Sequence, residues 1–184
     1  MENKVLSLIA SFIALAFVIM SYFMKNKSLY LVCQAICIIF LIASYFFTVQ
    51  FFAMIGLGVG LMRTVTFFTF EKNGKKASIF FSFLFSALTL SAYLIVNVII
   101  LGDANPYDIL CLVALIMYAF IFRIRNLKVV RFSMIFPTML SILFNALTHA
   151  ALFTTLTYVF ELSANLVSIL KYHVFGSKKD KAKA

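Results

Sequence analysis

The feature that most narrows what this chain can fold into is the spacing of its charges. Lys, Arg, Asp and Asn gather in short clusters, and apolar runs of roughly 20 residues stand between them. A helix rises about 1.5 Å per residue, so about 20 apolar residues cross the hydrocarbon core of a bilayer. Seven such runs are present, at 4–24, 29–48, 51–70, 77–101, 106–123, 128–147 and 151–172. The second and third meet at Thr48-Val49-Gln50, and the sixth and seventh at Thr148-His149-Ala150. Reading Leu29 to Phe70 as one helix would give 42 residues, about twice what a bilayer accepts.

Composition agrees. Apolar side chains make up 64% of the 184 residues and charged ones 12%, against about 45–50% and about 25% in a soluble domain. A core of this size cannot hide that much apolar surface, so the solvent is lipid and the chain is read as an all-α integral membrane protein. A soluble enzyme, a disordered chain and a disulfide-stapled secreted domain are excluded. The first run is too long for a signal-peptide core and has no small-residue cleavage site, so it is expected to stay as a helix. Cys33, Cys37 and Cys111 lie inside apolar runs at spacings that suit neither a disulfide framework nor a metal site. They read as apolar fillers, and neither a metal nor a cofactor is expected.

The basic residues test the count of spans, because cytoplasmic loops carry the excess of Lys and Arg. Lys25 and Lys27 follow the first run, Lys72, Lys75 and Lys76 the third, and Arg123, Arg125, Lys128 and Arg131 the fifth. Lys171, Lys178, Lys179, Lys181 and Lys183 follow the seventh, which puts 14 of the 16 basic residues on one side. The other side has Lys4, with Asp103 and Asp108 in the loop after the fourth run. Seven spans, amino terminus outside and carboxyl terminus in the cytoplasm, satisfy this pattern, whereas six would put a basic cluster on the wrong face. The tail from Lys178 is a solvated cytoplasmic end with some attraction for anionic lipid. With no domain outside the membrane to organise a basic face, nucleic acid is not an expected partner.

An internal repeat follows from the same map. Runs one to three and five to seven share a plan of span, short basic loop, span, tight uncharged turn and span. Aligning Lys25-Asn26-Lys27 with Arg123 to Lys128 places Ser44 near Asn145, Thr48 near Thr148, and the stretch around Arg63 near Ser163 to Asn165. The fourth run is a lone connector, so both triplets point the same way and a 3+1+3 plan results. The units are a first three-helix bundle at 1–76, a linker helix and outer loop at 77–105, a second bundle at 106–174 and a basic tail at 175–184.

Two ionisable groups lie well inside the runs, Arg63 and Glu161. Each costs at least about 2.5–3.5 kcal/mol near the membrane centre, which marks it as functional by default. One reading makes them parts of a polar pocket, with Arg63 holding an anionic or carbonyl group and Glu161 accepting a hydrogen bond or proton. The other makes them a structural ion pair, or has Arg63 reach for the inner headgroups. Gln34 and Asn145 are amides that need partners at membrane depth; either lines a pocket or joins helices. Asn165 completes the candidate solute-binding set. Asn97 is read as a helix joiner and His149 as an interfacial histidine. Gly56-Leu57-Gly58-Val59-Gly60 has no preceding strand and is not a nucleotide fingerprint; Gly56 and Gly60 offer a smooth stripe for a close helix. The 23 Phe residues read mainly as lipid-facing filler. No catalytic constellation is present, and an enzyme is not expected.

Gln34 behind a Lys-rich first loop, Arg63, Arg131, Pro137, Asn145 and Glu161 with Ser163 and Asn165 resemble the YgjV-type bacterial inner-membrane protein family over most of the chain. That resemblance implies an inner-membrane location and names no solute. The 3+1+3 plan is also similar to the SWEET sugar facilitators and the nicotinamide riboside transporters, which implies a pocket between the triplets. The prolines of the sugar facilitators' gating helices are missing, with Pro137 alone inside a span, and so is their Pro-Gln pair. The expected function is therefore an inner-membrane transporter or facilitator of a vitamin-, nucleoside- or sugar-like polar metabolite, sufficient as one chain or working as a homodimer. Two alternatives stand beside it. One is the substrate-binding subunit of an energy-coupling-factor importer, docking through Ala10 and Ala14; the other is a non-transporting assembly or immunity-type membrane protein.

Overall fold

A computed structural model of the chain describes residues 2–47, 51–100, 106–148 and 152–171. Within them all regular structure is helical: α1 (Glu2–Phe23), α2 (Lys27–Phe47), α3 (Phe51–Lys72), α4 (Ile79–Tyr93), α5 (Asp108–Ile121), α6 (Leu127–Leu147) and α7 (Leu152–Ile169). Each matches one apolar run of the sequence to within a few residues. The run at 77–101 is the exception, because after Tyr93 it continues as a π-helical segment, Leu94–Ile100. His149, Asp103 and the tail from Lys178 lie outside the described residues.

The helix ends follow from local chemistry. The Asn26 and Asn126 side chains accept from Ser28 N and Lys128 N, each over 2.9 Å, and the Ser78 hydroxyl accepts from Phe80 N. These satisfy amides that the first turn of a helix leaves without partners. α3 stops where Gly74 takes a φ of 66°, which lets Lys75 N reach back to Phe70 O over 3.0 Å. Pro137 sits inside α6, a position lipid-embedded helices tolerate when neighbours re-satisfy the freed backbone.

Packing closes six helices into a ring. α1 packs on α2, α2 on α3, α3 on α5, α5 on α6, α6 on α7, and α7 returns to α1. α4 is outside it, against α3 and α5, and leaves Phe80, Phe83, Leu84 and Leu88 exposed. Five of the helices are long and apolar enough to cross a membrane: α1, α2, α3, α4 with its continuation, and α6. α5 is shorter at 14 residues, and α7 has 18 that include Glu161 and Asn165.

α7 enters the ring by a polar face. Thr154, Thr157, Glu161, Asn165 and Ser168, spaced three or four apart, are all buried, forming one stripe about 21 Å long. Its upper part meets Ser7 and Ser11 of α1 and Ser44 of α2. Ser44 Oγ stands 3.0 Å from Ser7 Oγ, 2.8 Å from Ser11 Oγ and 3.2 Å from Thr154 Oγ1. Hydrogen bonds rather than hydrophobic exclusion hold this seam, as they must where the surroundings are as apolar as the side chains.

At the opposite end, basic residues near the loops act as latches. Lys27 is buried and pairs with Glu71 over 3.1 Å. Arg131 is also buried; its Nη2 donates to Tyr22 O and Met24 O over 3.0 and 2.7 Å, closing the carboxyl end of α1, where a cation is favoured. Arg123 Nε donates to Ala77 O over 3.0 Å.

Candidate functional site

Inside the ring is a cavity of about 30 Å³, room for about two water-sized groups. α2 lines it with Gln34, Cys37, Ile38 and Leu41, α3 with Leu57 and Arg63, α5 with Leu115, Tyr118 and Phe122, and α7 with Tyr158 and Glu161. The two membrane-depth charges therefore come from α3 and α7 to one cavity. Arg63 is 3% exposed and Glu161 5%, so Arg63 does not reach for headgroups.

Arg63 is held in place on several sides. Its Nη1 donates to Leu115 O over 2.9 Å, and its Cζ lies 5.1 Å from the centre of the Phe122 ring and 5.7 Å from that of Tyr118, within reach of cation–π attraction. A Cβ on Gly60 would stand 3.3 Å from Arg63 Nη2, so that glycine makes room for the guanidinium. Arg63 Nε is buried with no hydrogen-bond partner.

Glu161 is fixed differently. Its Oε1 accepts from Tyr22 OH over 2.8 Å, and Tyr22 is stacked edge-on to Tyr30 at 5.8 Å. Arg63 and Glu161 make no ion pair with each other; Lys27–Glu71 is the pair found among the described residues. The reading of a structural Arg63–Glu161 ion pair is thereby corrected: the two charges share a cavity and bond to different partners, Leu115 O and Tyr22 OH.

A second cavity, about 20 Å³, is lined by Tyr45, Ala53, Cys111, Ser141, Phe144 and Asn145. Leu57, Leu115, Tyr118 and Tyr158 border both cavities, so the two are stacked with these four residues between them. Along α3, Leu57 and Arg63 are about 9 Å apart, which sets the scale of the file.

The family model described as bacterial inner membrane protein, Imp-YgjV, matches residues 5–174. The chain belongs to that family. It is an inner-membrane protein with several apolar helices in a lipid bilayer. No curated protein matches it, and no solved structure does.

In this Imp-YgjV chain the five candidate residues fall at three places. Arg63, Glu161 and Gln34 meet at the first cavity, and Gln34 Nε2 also donates to Ser21 Oγ over 3.0 Å, so it both lines and joins. Asn145 is at the second cavity, where its Oδ1 accepts from Tyr45 OH over 2.9 Å and its Nδ2 donates to Ser141 O over 2.7 Å. Asn165 lines neither; its Nδ2 donates to Arg131 O over 2.7 Å and joins α7 to α6. Gly56 does face a neighbouring helix, since a Cβ there would lie 2.5 Å from Leu115 Cδ1, whereas Gly60 faces its own helix's Arg63. Ala10 and Ala14 are buried inside the fold and so are not a free docking stripe. Phe52, Phe67, Phe85, Phe122 and Phe144 are buried too, which limits the lipid-filler reading to residues such as Phe12, Phe80 and Phe136.

Residues that the sequence did not single out are Tyr22, Tyr118, Tyr158 and Phe122. A tyrosine in an apolar run looks like an interfacial residue; what sets Tyr22 apart is the buried Glu161 carboxylate to which it donates, while Tyr118, Tyr158 and Phe122 are wall residues of the cavity. Among the described residues no three His, Cys, Asp or Glu converge as a metal site.

Proposed function

We propose that this Imp-YgjV protein is a transporter or facilitator of a small polar solute, rather than an enzyme, and that the solute passes through the Arg63–Glu161 cavity. The observation that carries this reading is a buried guanidinium and a buried carboxylate lining one cavity without neutralising each other. A protein selected only for packing gains nothing from two such charges kept apart, since each carries a desolvation cost that direct pairing would reduce.

The proposed architecture is 3+1+3, with α1–α3 and α5–α7 as like-oriented units and α4 as linker. The order of packing supports it. Turning the ring by half a turn carries α1 onto α5, α2 onto α6 and α3 onto α7, and exchanges the α3–α5 contact for the α7–α1 contact. The charge pattern supports seven crossings, an outer amino terminus and a cytoplasmic carboxyl terminus. Rocking of one unit against the other would join the two stacked cavities by parting Leu57, Leu115, Tyr118 and Tyr158. The volumes favour a small solute; a nucleoside or vitamin requires those four side chains to move first.

Proteoliposomes holding the full chain test this by stopped-flow swelling in isotonic glycine, urea, glycerol and ribose. The expected result is faster entry of at least one solute than in empty liposomes, returning to the empty rate with Glu161→Gln. Entry at the empty-liposome rate for every solute would contradict it. The hydroxyl seam and the small cavities favour one other reading, a packed scaffold for assembly or immunity. Under that reading Arg63→Ala and Glu161→Ala lower stability and leave permeability unchanged. A role as an energy-coupling-factor subunit is disfavoured by the burial of Ala10 and Ala14.

A further inference from the structure

The geometry points to a small zwitterion as the ligand of the Arg63–Glu161 cavity, its carboxylate on Arg63 and its ammonium on Glu161. This inference rests on the transport reading and names the class of solute that the same site would take.

Charge balance is the first argument. With both groups ionised the cavity sums to zero, because the remaining wall is uncharged: Gln34, Cys37, tyrosines and aliphatic residues. A solute with a net charge would leave an uncompensated charge in a low-dielectric space, which costs several kcal/mol. A neutral solute with no separated charges would leave the guanidinium and carboxylate less well satisfied than water does. A zwitterion adds no net charge and gives each group its opposite.

The free valences fit. Arg63 Nε is buried without a partner, while Nη1 and the ring contacts hold the guanidinium still. Carboxylate is the anion whose geometry suits a guanidinium's fork. Tyr22 fixes Glu161 from the α1 side through Oε1, so the carboxylate is oriented before a ligand arrives. Size sets the limit. About 30 Å³ holds about two water-sized groups, which admits a molecule of glycine or alanine size after slight expansion. Ile38, Leu41, Leu57 and Leu115 offer an apolar wall to a methyl group.

The test is thermal unfolding of the detergent-purified full chain with glycine and alanine, against acetate, methylammonium, acetamide and ribose. The expected result is a rise of at least about 3 °C at saturation with glycine or alanine. No comparable rise is expected with either singly charged half or with the neutral solutes. In Glu161→Gln the rise disappears while the unfolding temperature without solute stays within a few degrees of the parent. Should that variant not fold, the comparison of whole zwitterion against its halves in the parent protein decides alone. An equal or larger shift with acetate, methylammonium, acetamide or ribose overturns the zwitterion and leaves the cavity reading standing. No shift from any solute overturns both.

Discussion

The hydroxyl of Tyr22 donates to Oε1 of Glu161 over 2.8 Å, tying the first helix of the chain to the carboxylate that shares a cavity with Arg63. Tyr22→Phe removes the donor and leaves a buried carboxylate oxygen short of a partner. We expect it to lower stability by about 1–3 kcal/mol, read as unfolding in detergent. Glu161→Gln keeps an oxygen for Tyr22 and should cost less. A Tyr22→Phe loss below about 0.5 kcal/mol would show that the contact does not hold α1 to α7.

The glycines of α3 separate by what stands over them. A Cβ at Gly56 would lie 2.5 Å from Leu115 Cδ1, while nothing stands within 4 Å of one at Gly58. Gly56→Val is expected to lose about 1–3 kcal/mol through overpacking, and Gly58→Ala to stay within about 1 kcal/mol of the parent. Equal effects at the two positions would contradict the packing of α3 on α5.

The hydroxyl seam permits a sharper measurement. Ser11 and Ser44 lie 2.8 Å apart, joining α1 to α2. A double-mutant cycle of Ser11→Ala and Ser44→Ala is expected to give a coupling of about 0.6 kcal/mol, the average for such bonds in a membrane protein. Zero coupling would remove this bond from the account of what holds the ring.

Much of the fold was legible because lipid leaves few options. Apolar length and charge clusters located the seven helices to within a few residues, the run that turns π-helical after Tyr93 excepted, since a chain in hydrocarbon must satisfy its backbone internally. Arg63 and Glu161 stood out as lone charges, and both line the cavity. Asn165 was in the candidate set and lines neither of the two cavities described, because its Nδ2 is taken by a carbonyl of α6. Arg131 and Lys27 were counted as loop charges, yet both are buried latches; sequence position near a loop does not reveal a carbonyl or carboxylate within reach. The tyrosines around the cavity were missed because Tyr22 and Glu161 are 139 residues apart, a separation at which no periodicity operates. The π-helical turn after Tyr93 had no signature in an apolar run.

Membrane orientation is open to a direct check. A green fluorescent protein fused after Ala184 is expected to fluoresce, and alkaline phosphatase at the same point to be inactive, as cytoplasmic placement requires. Active phosphatase there would reverse the positive-inside assignment.

The central claim is that water-soluble molecules reach the Arg63–Glu161 cavity, and Cys37, which lines it, is a built-in reporter. In a Cys33→Ala, Cys111→Ala background, the most direct measurement is the rate at which Cys37 reacts with a small water-soluble methanethiosulfonate reagent in native membranes. The account predicts slow but complete modification, accelerated by Leu57→Ala, which thins the partition between the cavities. Modification by a lipid-soluble maleimide alone, with no reaction from the aqueous phase, would mean that this space is dry packing and not a path.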